Sequence, residues 1–251
     1  MKISIITVTL NSATFINHCL ESIKKQKYDN IEHIIIDGGS SDDTLSILKS
    51  KKNQFSALIS EPDNGIYDAM NKGLKIATGD IIGFLNSDDF YATNDVLNSV
   101  YKLFKDDPTL DACYSDLVYV NALDTSKIIR YWKSGNFIQG KFSKGWCPPH
   151  PTFFVKSSVY KLYGNFDINY KIASDAELMM RFMEVKKIKV KYEPKLWVKF
   201  RMGGVSNRSL KNIIIQNGEV LKALKSHGLQ FNYIIFFFKK LIIKIKQFIQ
   251  K

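Results

Sequence analysis

The sequence predicts an α/β protein built on a mainly parallel, Rossmann-like central sheet flanked by helices. Three observations carry that expectation. Short apolar, β-branched runs alternate with helical apolar spacing through residues 1–115. Each run stops on a polar, Gly-rich or acidic stretch. The gaps between runs are long enough for crossover helices, which parallel strands require.

The elements follow in order. "ISIITV" is a first strand, followed by Asn11 and Ser12 as N-caps for a helix carrying Phe15, Ile16, Cys19, Leu20 and Ile23. "IEHIII" is a second strand ending at "DGGSSDD", with Ser40 or Ser41 placed to cap the helix that Leu45, Ile47 and Leu48 begin. "SALIS" is a third strand and ends at "EPDNG". A helix over Ile66–Ala77 leads to a fourth strand, "GDIIGFL", which ends at "NSDD". In a parallel sheet these four polar loops open at the carboxyl edge, where open α/β sheets bind ligands. The middle region changes character: "ACYSDLVYV" and "KIIRYW" are strand-like, and "GKFSKGWCPPHPTFFV" is loop-rich. "ASDAELMMRFMEV" returns to a helical pattern capped by Ser174 or Asp175, and "KIKVKYEP" alternates as a strand.

The chain has 251 residues, 45% hydrophobic and 24% charged, enough for one sizeable core. Cys19, Cys113 and Cys147 are widely spaced and odd in number, which points to a reducing compartment rather than a disulfide framework. The N-terminus turns polar too soon for a signal peptide or a membrane span. The net charge of +12 is uneven. Residues 186–251 hold 16 Lys/Arg against Glu193 and Glu219, a local +14, so the remainder carries −2. A basic C-terminal quarter calls for an anionic partner: nucleic acid, membrane lipid or a diphosphate.

Neither GxGxxG nor GxxxxGK[ST] is present, so a bound diphosphate would need a metal and basic side chains. At "NSDD" two readings are open: Asp88 and Asp89 hold a hard divalent ion, or they start a helix over Asn94–Phe104.

"ISIITVTLN", "DGGSSDDT", "EPDNGIYDAMNKGLKIATGDIIGFLNSDD", "HPTFF" and "SDAELMMRF" occur in the order seen in family 2 glycosyltransferases of the GT-A fold, and the chain resembles that family over residues 1–205. The block around "GIYDAMNKG" is similar to bacterial surface-polysaccharide transferases. The resemblance implies an inverting transferase with a nucleotide-sugar donor, most often a UDP-sugar, and Mn²⁺ or Mg²⁺. By the same resemblance Thr7, Thr9 and Asn11 lie beside the nucleoside, Asp37 accepts from the uracil ring and Asp63 is a further nucleoside-side contact. "NSDD" resembles the DxD element: Asn86 replaces the first Asp and faces a ribose hydroxyl, Ser87 belongs to the donor site, and Asp88 is the metal ligand. Asp89 is supporting or structural. Met70 departs from an Arg that many relatives carry, so Lys72, Arg201 and Arg208 are candidates for charge near the diphosphate. "SDAEL" resembles the element that supplies the catalytic base, which assigns that role to Asp175. Trp146, or alternatively Trp132, is a candidate to stack on an acceptor sugar. His150 is either structural or, as an acceptor-side residue, a helper to the acceptor, the metal or the diphosphate.

The C-terminal "FNYIIFFFKKLIIKIKQFIQK" places Ile234, Ile235, Phe238, Leu241, Ile242, Ile245, Phe248 and Ile249 on one helical face. Its lysines interrupt the apolar run too often for a span, so a helix lying in an anionic membrane interface is expected. The competing reading is a helix packed on the domain or in a dimer seam. The expected organisation is a catalytic domain over 1–208, with a nucleotide-binding half over 1–115 and an acceptor-side half over 116–208. A basic, membrane-associating tail follows over 209–251, with 231–251 as the contact. This predicts a peripheral protein at the cytoplasmic membrane face that acts on a lipid-linked glycan and binds no nucleic acid. A sugar nucleotidyltransferase and a non-enzymatic basic membrane- or nucleic-acid-binding protein are the alternatives.

Overall fold

The computed structural model describes residues 1–202 and 210–249. The first four strands are β1 (Ile3–Thr9), β2 (Ile31–Asp37), β3 (Ala57–Ser60) and β4 (Ile81–Phe84). They pair in parallel in the order β3-β2-β1-β4. Every residue of β1 is buried, as expected for a strand covered on both faces. Their connections carry α1 (Ile16–Lys24), α2 (Thr44–Ser50) and α3 (Ile66–Ile76).

Beyond β4 the sheet becomes mixed. The chain adds β5 (Phe90–Tyr91), α4 (Val96–Asp106), β6 (Ala112–Val120), β7 (Ile128–Trp132), β8 (Phe154–Lys156), α5 (Ser157–Tyr163), α6 (Ser174–Met180) and β9 (Val190–Arg201). β8 runs antiparallel between β4 and β6, β9 is parallel to β6, and β5 and β7 pair antiparallel with β9 and β6. α7 (Leu210–Ser226) and α8 (Tyr233–Ile249) complete the described chain.

The alternation of side chains along β1 separates two cores. Ile3 and Ile5 pack with Cys19 and Ile23 of α1 and with Leu97 and Val100 of α4. Ile6 and Val8 face the other side, with Tyr67 and Met70 of α3 and Met179 of α6. At Gly83 of β4, a Cβ would fall 2.4 Å from Phe154 Cε1 and 2.6 Å from Cδ1, so the absent side chain lets the Phe154 ring cross the strand. Gly83→Ala is expected to cost about 1–3 kcal/mol through overpacking. A lower urea midpoint with an unchanged slope would report it.

Three local expectations change. Asn11 and Ser12 do not cap α1: Phe15 occupies the N-cap, and Asn11 takes a left-handed φ of 50°. Asp43, without a side-chain cap bond, precedes α2 in place of Ser40 or Ser41, and Ala173 precedes α6 in place of Ser174 or Asp175. Asp88 and Asp89 do not open a helix, because β5 follows them and α4 starts only at Val96.

α7 and α8, which follow the boundary expected after residue 208, pack onto the core of the preceding domain. Ala223 and Leu224 of α7 and Phe236 of α8 are fully buried in the same core as Ile6 and Tyr67. α8 lies against the turn at Gly145, where a Cβ would fall 2.9 Å from both Phe236 O and Lys240 Cβ. Lys240 Nζ donates to Asn217 Oδ1 of α7 at 2.6 Å. Among the described residues no helix is long and apolar enough to cross a membrane.

Candidate active site

The four polar loops meet at the carboxyl edge of β1–β4. Asn11 ties the first to the second: its N–H donates to Ser40 Oγ at 2.8 Å, and its Oδ1 accepts from Ser41 N–H at 2.9 Å. Ser12 Oγ and Ser87 Oγ, 2.8 Å apart, tie the first to the acidic turn. Ser60 Oγ donates to Asp37 Oδ2 at 2.7 Å, joining the second and third. Asp63 accepts from Gly65 N–H at 2.9 Å and lies over Gly38, where a Cβ would fall 2.3 Å from Asp63 Oδ2. The Gly65–Asp63 bond is local, but the others span large sequence separations and arise from convergence of the loops.

In the acidic turn, Asp89 is buried and Asp88 is half-buried. Asp89 Oδ1 accepts from the Arg201 N–H at 3.1 Å, and its Oδ2 accepts from Asn86 Nδ2 at 3.4 Å. Burial, followed by the neighbouring Asp88 charge, holds the Asp89 carboxyl well above the usual carboxylate range. The Arg201 guanidinium lies 4.8 Å from the Phe15 ring and 5.0 Å from the Phe90 ring. It donates to Ala122 O at 2.9 Å and contacts His18 Nδ1 at 2.5 Å. Its charge acts on both Asp89 and Asp88.

On the other side of the crevice, Asp175 sits in the first turn of α6, where a helix start favours a carboxylate. Its Oδ1 accepts from Ala176 N–H at 2.8 Å and lies 3.1 Å from the Tyr67 hydroxyl, which is also 2.7 Å from Ile172 O. Burial raises the Asp175 pKa, and those hydrogen bonds only partly oppose the rise. A chain of rings joins the two sides: Phe84 at the end of β4 meets Phe166 edge-on at 5.3 Å, and Phe166 stacks on Tyr67 at 5.6 Å.

Several side chains lie elsewhere than expected. Thr7 is buried in β1, 3.0 Å from His33 Nε2, and does not open onto the edge. Thr9 is also buried, with no partner for its hydroxyl. Asp37 is fully buried, and its carboxylate accepts from Gly39, Ser40 and Ser60, so it anchors its own loop. Lys72 pairs with Glu61 at 2.9 Å and Asp68 at 3.7 Å beside the third loop. Met70 is buried, so this position carries no charge toward the crevice. Trp146 is a core residue: its indole N–H donates to Ser134 O at 2.8 Å and its ring meets Tyr114 and Phe142 edge-on. It offers no open face to a sugar. His150 is buried between Phe84 and Phe166, and burial pushes its pKa down to about 4, so it stands neutral. Trp132 stacks on Tyr119 at 6.3 Å. Arg208 lies outside the described residues.

Among the described residues no group of three His, Cys, Asp or Glu could hold a metal ion. Asp89 accepts from the Arg201 N–H and from Asn86 Nδ2, and Asp88 is the less buried of the two carboxylates in the turn. A single carboxylate fits Mg²⁺ or Mn²⁺ of the kind that keeps waters and binds substrate phosphates, and does not fit a closed protein cage.

A doubly covered α/β sheet with its polar loops gathered at one edge and an acidic turn among them has GT-A architecture. The solved structures it resembles agree: a mannosyltransferase from Pyrobaculum calidifontis in complex with GDP-Man and Mn²⁺ (TM-score 0.66, 20% identity, 98% of this chain and 69% of that one), and S. aureus TarS 1-349 in complex with UDP (TM-score 0.64, 19% identity, 90% of this chain and 65% of that one). The chain thus spans just under two thirds of that TarS chain. The sequence model of glycosyl transferase family 2 matches residues 4–172, and the chain belongs to that family. A glycosyltransferase of Mycobacterium tuberculosis is 33% identical over 181 residues, 71% of this chain and 68% of its own length. A PGL/p-HBAD biosynthesis glycosyltransferase of Mycobacterium bovis is 29% identical over 212 residues, 81% of this chain and 78% of its own.

Proposed function

We propose that the protein is an inverting, metal-dependent glycosyltransferase that moves a sugar from a nucleotide-sugar donor, a UDP-sugar, to a lipid-linked glycan acceptor in surface-polysaccharide biosynthesis. The observation that carries this reading is Asp175, a carboxylate of raised pKa that contacts Tyr67 and is linked through Tyr67 and Phe166 to Phe84 at the end of β4. A sugar hydroxyl is a poor nucleophile, and a carboxylate of raised basicity is suited to take its proton as the anomeric carbon is attacked. Single displacement from the face opposite the leaving group inverts that carbon. A divalent ion held by Asp88, when bound, would stabilise charge on the departing nucleotide diphosphate. Asn11 and Ser87 brace the loops around the donor, and Asn86 holds Asp89 while lying beside the ribose. The family match gives no support to a nucleotidyltransferase or a nucleic-acid-binding protein.

Asp88→Ala tests the donor side. Calorimetry with UDP should show binding that requires Mn²⁺ in the wild type and a loss of at least about tenfold in the variant, the size expected for one direct ligand. Metal-dependent binding of undiminished affinity in the variant would remove Asp88 from this role.

The membrane part of the proposal rests on α8. Phe236, Lys240, Ile243 and Gln247 form its inward face. Ile234, Phe238 and Ile249 point away from the protein at 80%, 60% and 76% exposure, with Leu241 and Ile245 between them. At about 100° per residue, Lys244 falls on one border between these faces, and Lys239 and Lys246 on the other. An apolar face flanked on both sides by lysines suits an anionic lipid interface, because the stems snorkel and the ammonium groups reach headgroups. We place the protein peripherally at the cytoplasmic membrane face on this ground.

A further inference from the structure

The segment entering the catalytic helix is held by a residue far away in the chain. Glu219 of α7 accepts three backbone N–H bonds from consecutive residues: Lys171 at 2.8 Å on Oε1, and Ile172 and Ala173 at 2.9 Å each on Oε2. Ala173 is the residue before α6, and its side chain makes no cap bond to the helix. The first backbone N–H groups of a helix are orphans that a carboxylate satisfies well, both as an acceptor and against the helix dipole. Glu219 thus holds, from another helix, the backbone that leads into α6, including the amide of its N-cap residue Ala173. The same peptide is fixed on its carbonyl side, because the Tyr67 hydroxyl lies 2.7 Å from Ile172 O and 3.1 Å from Asp175 Oδ1.

Two further contacts hold α7 in place. Glu177, one turn into α6, bonds His227 just beyond α7 at 2.7 Å, and Lys240 of α8 donates to Asn217, two residues before Glu219. A carboxylate facing three amides in a row is a fixed point, and the base lies two residues past the last of them.

We propose that Glu219 is a positioning residue for Asp175, so that α7 belongs to the acceptor half of the active site. This rests on the reading of Asp175 as the base. Four ionisable groups act on that carboxyl among the described residues: Tyr67 from α3, Glu219 from α7, Cys147 from the turn after Gly145, and Tyr119 from β6. Burial is the first cause of the raised Asp175 pKa, and the Glu219 charge acts in the same direction. Glu219 thus orients the base and also strengthens it. Glu219→Gln removes the charge and leaves one acceptor oxygen for three amides. Glu219→Asp keeps the charge but shortens the reach.

The test needs no knowledge of the donor. In protein carrying ¹³C-labelled aspartate carboxyls, the Asp175 signal is assigned by its loss in Asp175→Asn, and its titration midpoint is followed. Glu219→Gln is expected to move that midpoint to lower pH, Glu219→Asp to leave it near the wild-type value, and both to speed exchange of the Lys171, Ile172 and Ala173 amides by at least about tenfold. A midpoint unmoved in Glu219→Gln overturns the proposal, and so does unchanged amide exchange. Should both variants fail to fold, the wild type decides: these three amides must exchange more slowly than those of the neighbouring exposed loop, and equal rates overturn it. Failure of the base assignment reads separately, because it would show as transfer by Asp175→Asn.

Discussion

Asp175→Asn is expected to lower the transfer rate by about a hundred- to ten-thousandfold, the range that general-base catalysis supplies, while nucleotide binding stays intact. The substitution is conservative in the structure. An amide oxygen can still accept from Ala176 N–H and stay within reach of the Tyr67 hydroxyl, so the loop geometry should survive. What it removes is the capacity to take a proton. The raised pKa gives the loss a pH signature in the wild type. The base works ionised, so kcat/KM should fall as pH drops through the raised pKa, with an acid limb above that of an ordinary exposed Asp. Stability runs the other way. A carboxyl whose folded-state pKa is raised favours folding at low pH, below its unfolded value, and that contribution is lost as pH rises through the folded value. At neutral pH the ionised Asp175 is a cost to the fold, so Asp175→Asn should match or exceed wild-type stability. A thermal melt beside the rate measurement separates lost chemistry from lost structure. Full transfer by a well-folded Asp175→Asn protein would remove Asp175 from the mechanism.

The parallel half of the sheet was open to sequence reasoning because each strand stops on its own loop. "ISIITV", "IEHIII", "SALIS" and "GDIIGFL" became β1–β4, and their polar endings do converge. The helix-start reading of Asp88 and Asp89 failed at β5. Two residues are too few to leave a pattern, and Phe90–Tyr91 pairs with β9, more than a hundred residues later. Trp146 and His150 sit in a stretch that reads as a loop, rich in proline and glycine, and so resemble exposed contacts. Trp146 is enclosed by Tyr114, Phe137 and Phe142, with Tyr114 coming from the earlier strand β6, which no local pattern records. Arg201 has a similar cause, since its charge is sandwiched by Phe15 and Phe90 from the opposite end of the chain. Tyr67 stands inside a block that marked the family, yet nothing in its spacing shows that it reaches Asp175. Glu219 left no signal at all, because a carboxylate that receives backbone N–H groups has partners of any residue type.

The two faces of α8 are expected to answer differently to substitution, and this decides between a helix that only packs and one that also binds a membrane. Phe236 is fully buried in the core it shares with Phe142 and Trp146. Phe236→Ala should cost about 3–5 kcal/mol, the range for truncating a buried aromatic, with a lower melting temperature whether or not lipid is present. On the outer face, the triple substitution Phe238→Glu, Leu241→Glu and Ile245→Glu touches side chains that are 60%, 58% and 48% exposed. Removing exposed apolar groups leaves no cavity, so its effect on stability should stay small. Its effect on lipid binding should be large. Burying a Leu- or Phe-sized side chain in an apolar phase is worth about 1.5–3 kcal/mol, so losing three would erase most interfacial affinity, and the new carboxylates would also be repelled by anionic headgroups. Co-sedimentation with vesicles of phosphatidylglycerol and phosphatidylethanolamine measures this directly. Wild type should pellet with the vesicles, less so at high salt because Lys239, Lys244 and Lys246 contribute screened attraction. Should the triple variant pellet as well as wild type, the outer face is not the lipid contact. Should wild type fail to bind at low salt, α8 is a packing helix whose apolar outer face has another partner.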